Sequence, residues 1–217
     1  MSERDDRQML FIHGWGMNST IWQTTIEKLQ GVSCKTIDLG FVKGGKTHSI
    51  ENKPTIVITH SLGTLYFLKA VLGKELSSEN IKALIVIAGF TDFTSFTPIE
   101  AIRKMQEGVG SNPATQMALF WRRAGCKNFA PSEALNPENL IEGLEWLATW
   151  NAAQEAKALQ CPKLILASKA DKIVPASAIE VQWQSENISW SENSSHCLQL
   201  DEPDFCAGEI KQCLQAL

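Results

Sequence analysis

Ser61 stands with Thr59, His60, Leu62 and Gly63 between a β-branched apolar run, residues 55–59, and a helical pattern over residues 62–72. A serine in so tight a strand-to-helix turn exposes its Oγ. It also faces the free N–H groups at the helix start, which favour developing negative charge. Those are the requirements of a nucleophile in acyl transfer. The turn needs small residues two positions to either side of Ser61. Gly63 supplies one, and Thr59 stands where the usual pattern has glycine. An ordinary N-cap serine would give the same local pattern, so the assignment needs partners elsewhere in the chain.

Those partners are a base, an acid that orients it, and donors for an oxyanion. In a serine hydrolase built on a parallel sheet the chain order is Ser, then acid, then His. His196 is the only histidine after residue 60, and Asp171 follows the apolar run 164–167, so both the order and the loop placement fit. Asp92, just after the run 83–88, is an alternative acid. The loop His13, Gly14, Trp15 and Gly16 follows the first apolar run. Its glycines let the backbone approach a substrate, so the expected oxyanion donors are the backbone N–H groups of Trp15 and of Leu62, just after the nucleophile. His60 reads as a packing residue beside the nucleophile, His13 as a brace for its loop and His48 as solvated surface. A Gly-rich turn, a turn aspartate and a surface histidine are the plain readings of the same residues taken singly.

These residues need a scaffold that brings them to one face. Strands are expected at 9–12, 34–39, 55–59, 83–88, 164–167 and 188–190, and helices at 21–29, 62–72, 176–184 and 204–214. Continuous apolar strands alternating with helices imply a parallel sheet covered on both faces, with ligands beyond the carboxyl ends of its strands. Every candidate residue lies at such an end. Residues 91–152 break the alternation with helical stretches at 98–106, 113–124 and 137–150, which reads as a helical insertion over the active face. The expected organisation is an α/β core, 1–90 and 153–217, with a helical lid, 91–152.

Composition excludes several classes. The chain has 217 residues, 44% apolar and 20% charged, with a net charge of −4, which gives no general affinity for nucleic acid or membrane. Its polar start lacks the apolar core of a signal peptide, and no run approaches the ~18 residues of a membrane span, so a cytoplasmic protein is expected. Cys34, Cys126, Cys161, Cys197, Cys206 and Cys213 are scattered without a Cys-x-x-Cys pair, and free thiols are expected. There is no His/Cys cluster and no phosphate loop, so neither a metal nor a nucleotide cofactor is expected.

Several strings have a likeness beyond the general pattern: Leu10 to Met17 with Trp22, His60 to Gly63, Gly143 to Leu147 with Trp150, Cys161 and Pro162, Asp171 to Pro175, and the His196 loop ending near Pro203. On these the chain resembles the pimeloyl-acyl-carrier-protein methyl ester carboxylesterases of biotin synthesis, members of the α/β-hydrolase superfamily. A related short family of the same pathway has a similar Gly-Trp-Gly-Met opening. The resemblance implies the α/β-hydrolase fold and hydrolysis of the methyl ester of pimeloyl-acyl carrier protein, with release of methanol. A general short-acyl carboxylesterase or thioesterase would use the same residues, and a catalytically silent binding module would keep the fold without the chemistry.

An acidic carrier protein needs a basic dock. Residues 101–130 hold Arg103, Lys104, Arg122, Arg123 and Lys127 against one acid, Glu107. On the helix 113–124 the side formed by Met117, Phe120, Trp121 and Ala124 is apolar, leaving Arg122, Arg123 and Lys127 toward the polar side. Such a patch steers an acidic partner, although a solvated helix face has the same composition. Phe93, Phe96, Ile99, Ile102, Trp146 and Trp150 are candidates for an acyl channel or for packing under the insertion.

Overall fold

A computed structural model describes residues 7–29, 31–126, 129 and 135–217. Six parallel strands form one sheet: β1 (Gln8–Ile12), β2 (Ser33–Ile37), β3 (Thr55–His60), β4 (Ile81–Ile87), β5 (Lys163–Ser168) and β6 (Asn187–Ser191), in the order β2-β1-β3-β4-β5-β6. Every residue of β1 and β3 is buried, and in β4 only Lys82 is not fully so. Their near-continuous apolar runs reflect helices on both faces. Gln8 tolerates burial because its side-chain amide donates to the carbonyl of Glu51 (2.6 Å) and to Thr55 Oγ1 (2.9 Å).

The helices are α1 (Gln23–Lys28), α2 (Leu62–Tyr66), α3 (Ile99–Ser111), α4 (Pro113–Ala124), α5 (Pro137–Thr149), α6 (Ala153–Ala158), α7 (Ala176–Gln182), α8 (Leu198–Asp201) and α9 (Pro203–Gln215). The helix expected at 62–72 is split, with α2 continuing as a π-helical turn, Phe67–Val71. The one expected at 21–29 opens as a 3₁₀ turn, Ser19–Trp22, capped by Asn18. The short helices α6 and α8 are too brief to leave a periodic pattern in the sequence.

The sheet order fixes where a site can form. The chain leaves β1 outward to β2, then returns past β1 to β3. The loops after β1 and β3 therefore diverge from neighbouring strands, and a crevice opens between them at the strands' carboxyl ends. The register pairs Ile12 with Thr59, so those two loops emerge side by side.

Between β4 and β5 the described residues form helices and no named strand. Asn112 and Asn136 cap α4 and α5, each followed by a proline in the first turn, which is why these helices begin where they do. The two ends of the segment are clamped together. The N–H of Ala152 donates to the carbonyl of Thr91 (2.8 Å), and Asn151 Nδ2 donates to Asp92 Oδ2 (2.9 Å). Gln182 of α7 accepts from the N–H groups of Thr91 (2.6 Å) and Asp92 (3.1 Å) and donates to the carbonyl of Asp92 (2.7 Å).

The cysteines depart from expectation. Cys126, just past the end of α4, is joined to Cys197 by a disulfide, with Cα atoms 5.9 Å apart; Cys34, Cys161, Cys206 and Cys213 are free thiols. The two partners lie 71 residues apart, so no spacing motif announces them. Scattered cysteines in a chain of this size gave no sign of a cross-link, and the fold makes one by packing the end of α4 on the loop after β6. Alkylation of the unreduced, denatured protein is expected to label Cys34, Cys161, Cys206 and Cys213 alone, and Cys126→Ser is expected to cost about 2–4 kcal/mol of stability in urea. Labelling of all six would contradict the cross-link.

Candidate active site

Ser61 lies between β3 and α2, at the N-cap of the helix. Its backbone has φ 52° and ψ −124°, a conformation that a residue with a side chain adopts only where the surroundings impose it. Those surroundings are visible. A Cβ on Gly63 would lie 2.5 Å from the carbonyl oxygen of Ile12 and 2.7 Å from that of His13, so only glycine lets the turn press against the end of β1. The N–H of Ser61 donates to the carbonyl of Ile87 at 3.0 Å, which ties the turn to β4. Thr59 fits where glycine is usual because its side chain finds a partner, Thr64 Oγ1 at 2.8 Å, in a fully buried spot.

The loop after β1 is braced from two directions. His13 is buried. Its Nε2 accepts from the N–H of Leu39 (2.9 Å), which leaves the proton on Nδ1 to donate to the carbonyl of Gly14 (2.9 Å). Asp38 lies 3.5 Å away and itself accepts from the N–H groups of Ser19 and Gly40. From the other side come two indoles. Trp15 Nε1 donates to the carbonyl of Leu140 on α5 (2.8 Å), and Trp121 Nε1 on α4 donates to the carbonyl of Gly16 (2.9 Å). Trp15 also meets Phe120 edge-on at 4.7 Å. Among the described residues no acceptor takes the backbone N–H of Trp15 or of Leu62. Both stay available beside Ser61, as an oxyanion requires.

His196 Nδ1 lies 2.8 Å from Asp171 Oδ2, with both side chains at most 2% exposed. Asp171 Oδ1 accepts from the N–H groups of Ile173 (2.7 Å) and Val174 (3.0 Å), which fixes the carboxylate's orientation. His196 Nε2 is buried with no hydrogen-bond partner, leaving a ring nitrogen uncommitted, as a base must have. Asp92, the alternative acid, does not meet His196. Its oxygens accept from Thr94 and Asn151 at the clamp described above.

His60 does more than pack. Its Nε2 lies 3.0 Å from the carbonyl of His196 and its ring 4.9 Å from the His196 ring, so the residue before Ser61 holds the loop that carries His196. The loop is further fixed by the N–H of Ser195 donating to Asp201 Oδ2 (2.7 Å), by Ser168 Oγ donating to the carbonyl of Ser194, and by the Cys126–Cys197 bond.

A pocket of about 310 Å³ opens above Ser61, walled by Phe90, Phe93, Met105, Leu119, Phe120 and Leu147 and reaching Arg123 and Lys172. Of the expected channel residues only Phe93 lines it. Ile102 is fully buried, Ile99 is exposed, and Trp146 and Trp150 stack on each other at 5.0 Å. The basic residues also sort differently from the expectation. Arg103 is paired with Glu145 and Gln106, an acid and an amide that the tally over 101–130 did not weigh against it. Arg122 and Arg123 line a second opening beside the pocket, and Lys127 lies outside the described residues. The sequence did not single out Lys172, whose neighbour Asp171 drew the attention, nor Trp121, which on an amphipathic helix looks like ordinary core.

Burial, reinforced by the adjacent His196 and by His13, holds His60 neutral, well below the usual histidine range. The unfolded chain takes up a proton near pH 6.5 that the folded chain refuses, so stability from this residue is present above that pH and lost as pH falls. Urea titrations from pH 7.5 to 5 should show wild-type stability falling more steeply than that of His60→Phe, by up to about 1.4 kcal/mol per pH unit. Parallel slopes would refute the neutral assignment.

The profile of the alpha/beta hydrolase family matches residues 36–209. A pimeloyl-[acyl-carrier protein] methyl ester esterase of Aliivibrio fischeri is 33% identical over 98% of this chain and 95% of its own length. A protein of the same name from Vibrio parahaemolyticus is 24% identical, covering 92% of this chain and 91% of itself. An esterase from Exiguobacterium antarcticum superposes with a TM-score of 0.76 at 15% identity, covering 96% of this chain and 92% of that one, a likeness of fold. The chain is a carboxylic ester hydrolase that belongs to the alpha/beta hydrolase family and, within it, to the pimeloyl-[acyl-carrier protein] methyl ester esterases.

Proposed function

We propose that Ser61, His196 and Asp171 are the catalytic triad, that the backbone N–H groups of Trp15 and Leu62 form the oxyanion hole, and that the enzyme hydrolyses the methyl ester of pimeloyl-acyl carrier protein in biotin synthesis. The observation that carries the assignment is the strained turn at Ser61 with its unengaged N–H groups, in a chain that also holds a buried His–Asp pair with one ring nitrogen uncommitted. Backbone strain of this kind survives only where the structure over-determines it, and it clusters at functional sites.

His196 Nε2 takes the proton as Ser61 Oγ attacks the ester carbonyl. Asp171 holds the imidazole in the tautomer with its proton on Nδ1 and stabilises the cation that forms. The carbonyl oxygen becomes an anion between the N–H groups of Trp15 and Leu62, each such donor being worth about 100–1,000-fold in rate. His196 then protonates the departing methanol. Water, deprotonated by the same nitrogen, cleaves the acyl-serine, releases the pimeloyl acid and restores Ser61. The apolar pocket takes the acyl chain, residues 91–152 serve as a lid over it, and Arg122, Arg123 and Lys127 form the dock for the acidic carrier. Arg103, tied to Glu145, contributes little free charge to that dock.

With purified protein and pimeloyl-acyl carrier protein methyl ester, Ser61→Ala and Asp171→Asn are each expected to lower kcat by about 10,000-fold. Activity of Ser61→Ala within tenfold of wild type would remove the assignment. A wild type that cleaves simple esters but not the carrier-bound one would keep the serine hydrolase and discard the pathway role.

Docking has its own signature. Arg122→Glu is expected to raise KM for the carrier-bound ester several-fold, with a shallower salt dependence, while leaving kcat for a neutral short ester in place. Equal loss on both substrates would mean that Arg122 acts on the fold and not on the carrier.

A further inference from the structure

The pocket above Ser61 has a charge pattern that a plain acyl channel does not need. Its walls are aromatic and aliphatic, and the charged groups lining it are two cations, Arg123 and Lys172, with no acid. Arg123 leaves the last turn of α4 and donates from Nε to the backbone carbonyl of Lys172 at 3.3 Å. That bond ties the end of α4 to the loop after β5, and both cationic side chains line the one pocket. Among the described residues neither cation has a carboxylate within ion-pair distance, although eight other basic–acidic pairs come that close. The adjoining opening adds Arg122. The acids there, Asp201 and Glu202, are already hydrogen-bonded to the N–H of Ser195 and to Ser191 Oγ. A chain that starts at Ser61 and runs along the apolar wall therefore reaches a pair of unneutralised cations.

We propose that the enzyme also takes free esters, without any carrier, that among these it prefers monomethyl esters of medium-chain dicarboxylic acids, and that in the absence of a docked carrier Arg123 and Lys172 hold the anion at the far end of their acyl chain. The inference rests on Ser61 being the nucleophile. The reaction is ordinary ester hydrolysis. The bond between the acyl carbon and the methoxy oxygen breaks, water supplies the new oxygen, methanol leaves with one proton, and the new carboxylic acid releases the other to solvent. The far carboxylate is unchanged throughout and acts only as a handle. Both cations are exposed, so each contact is screened and modest, and two together are expected to favour the anionic ester by about tenfold in kcat/KM. Salt should erode the preference.

The test compares monomethyl pimelate with the ω-amide of the same length, which is neutral but otherwise matched, in low and in 0.5 M salt. Wild type is expected to prefer the monoester about tenfold at low salt, through KM, and the ratio should approach one in Arg123→Gln/Lys172→Gln. A ratio of one in wild type, or an unchanged ratio in the double variant, overturns the inference. Cleavage of neither small ester, with pimeloyl-acyl carrier protein methyl ester still hydrolysed, overturns it and leaves Ser61 as nucleophile. Loss of all three activities overturns the nucleophile assignment beneath it.

Discussion

The close approach of Gly63 to the carbonyls of Ile12 and His13 is the constraint on which the rest of the site depends. It presses the turn after β3 against the end of β1, and so forces Ser61 into its unusual backbone conformation. The same contact sets Ser61 beside the loop that carries Trp15. The sheet order supplies the opening and this contact supplies the geometry. The turn at Ser61 and the loop of Trp15 follow neighbouring strands in register, so neither can shift without the other. Backbone strain is tolerable because it is shared: Ser61 donates to Ile87, Thr59 and Thr64 bond each other, and β1, β3 and β4 are buried on both faces.

The helical segment is a second participant in the site. Trp15 and Trp121 cross between core and helices in opposite senses, one indole donating outward to α5 and the other inward to Gly16. A movement of α4 or α5 would therefore reach the loop of Trp15 directly, and through Cys126 it would reach the residue after His196. His60 completes the circuit from the other side, with its ring against His196 and its Nε2 on the His196 carbonyl. The turn at Ser61, the loop of Trp15 and the loop of His196 are thus held to one another by buried side chains around them.

Much of this was legible in the sequence because it follows from local pattern. The six strands, the helices around them and the helical segment between β4 and β5 are written in apolar periodicity and in the Asn-Pro starts of α4 and α5. The positions of Ser61, Asp171 and His196 follow from strand ends and chain order. What the sequence hid is the pairing across long distances. Cys126 with Cys197, Trp121 with Gly16 and Gln182 with the start of the helical segment join residues that no spacing rule relates. Arg103 looked available because Glu145, its partner, lies on a different helix. Lys172 has no local signal, and only the packing of α4 beside it gives it a place in the pocket. Local pattern reports which face of an element is buried and is silent on which element covers it.

The central claim is that Ser61 is the nucleophile, and a fluorophosphonate probe tests it without any assumption about the natural ester. Incubation of the native protein with the probe, followed by peptide mass mapping, should place one adduct on the peptide carrying Ser61, formed rapidly in wild type and very slowly in His196→Ala. An adduct on another residue, or none in a folded protein, would contradict the account at its base.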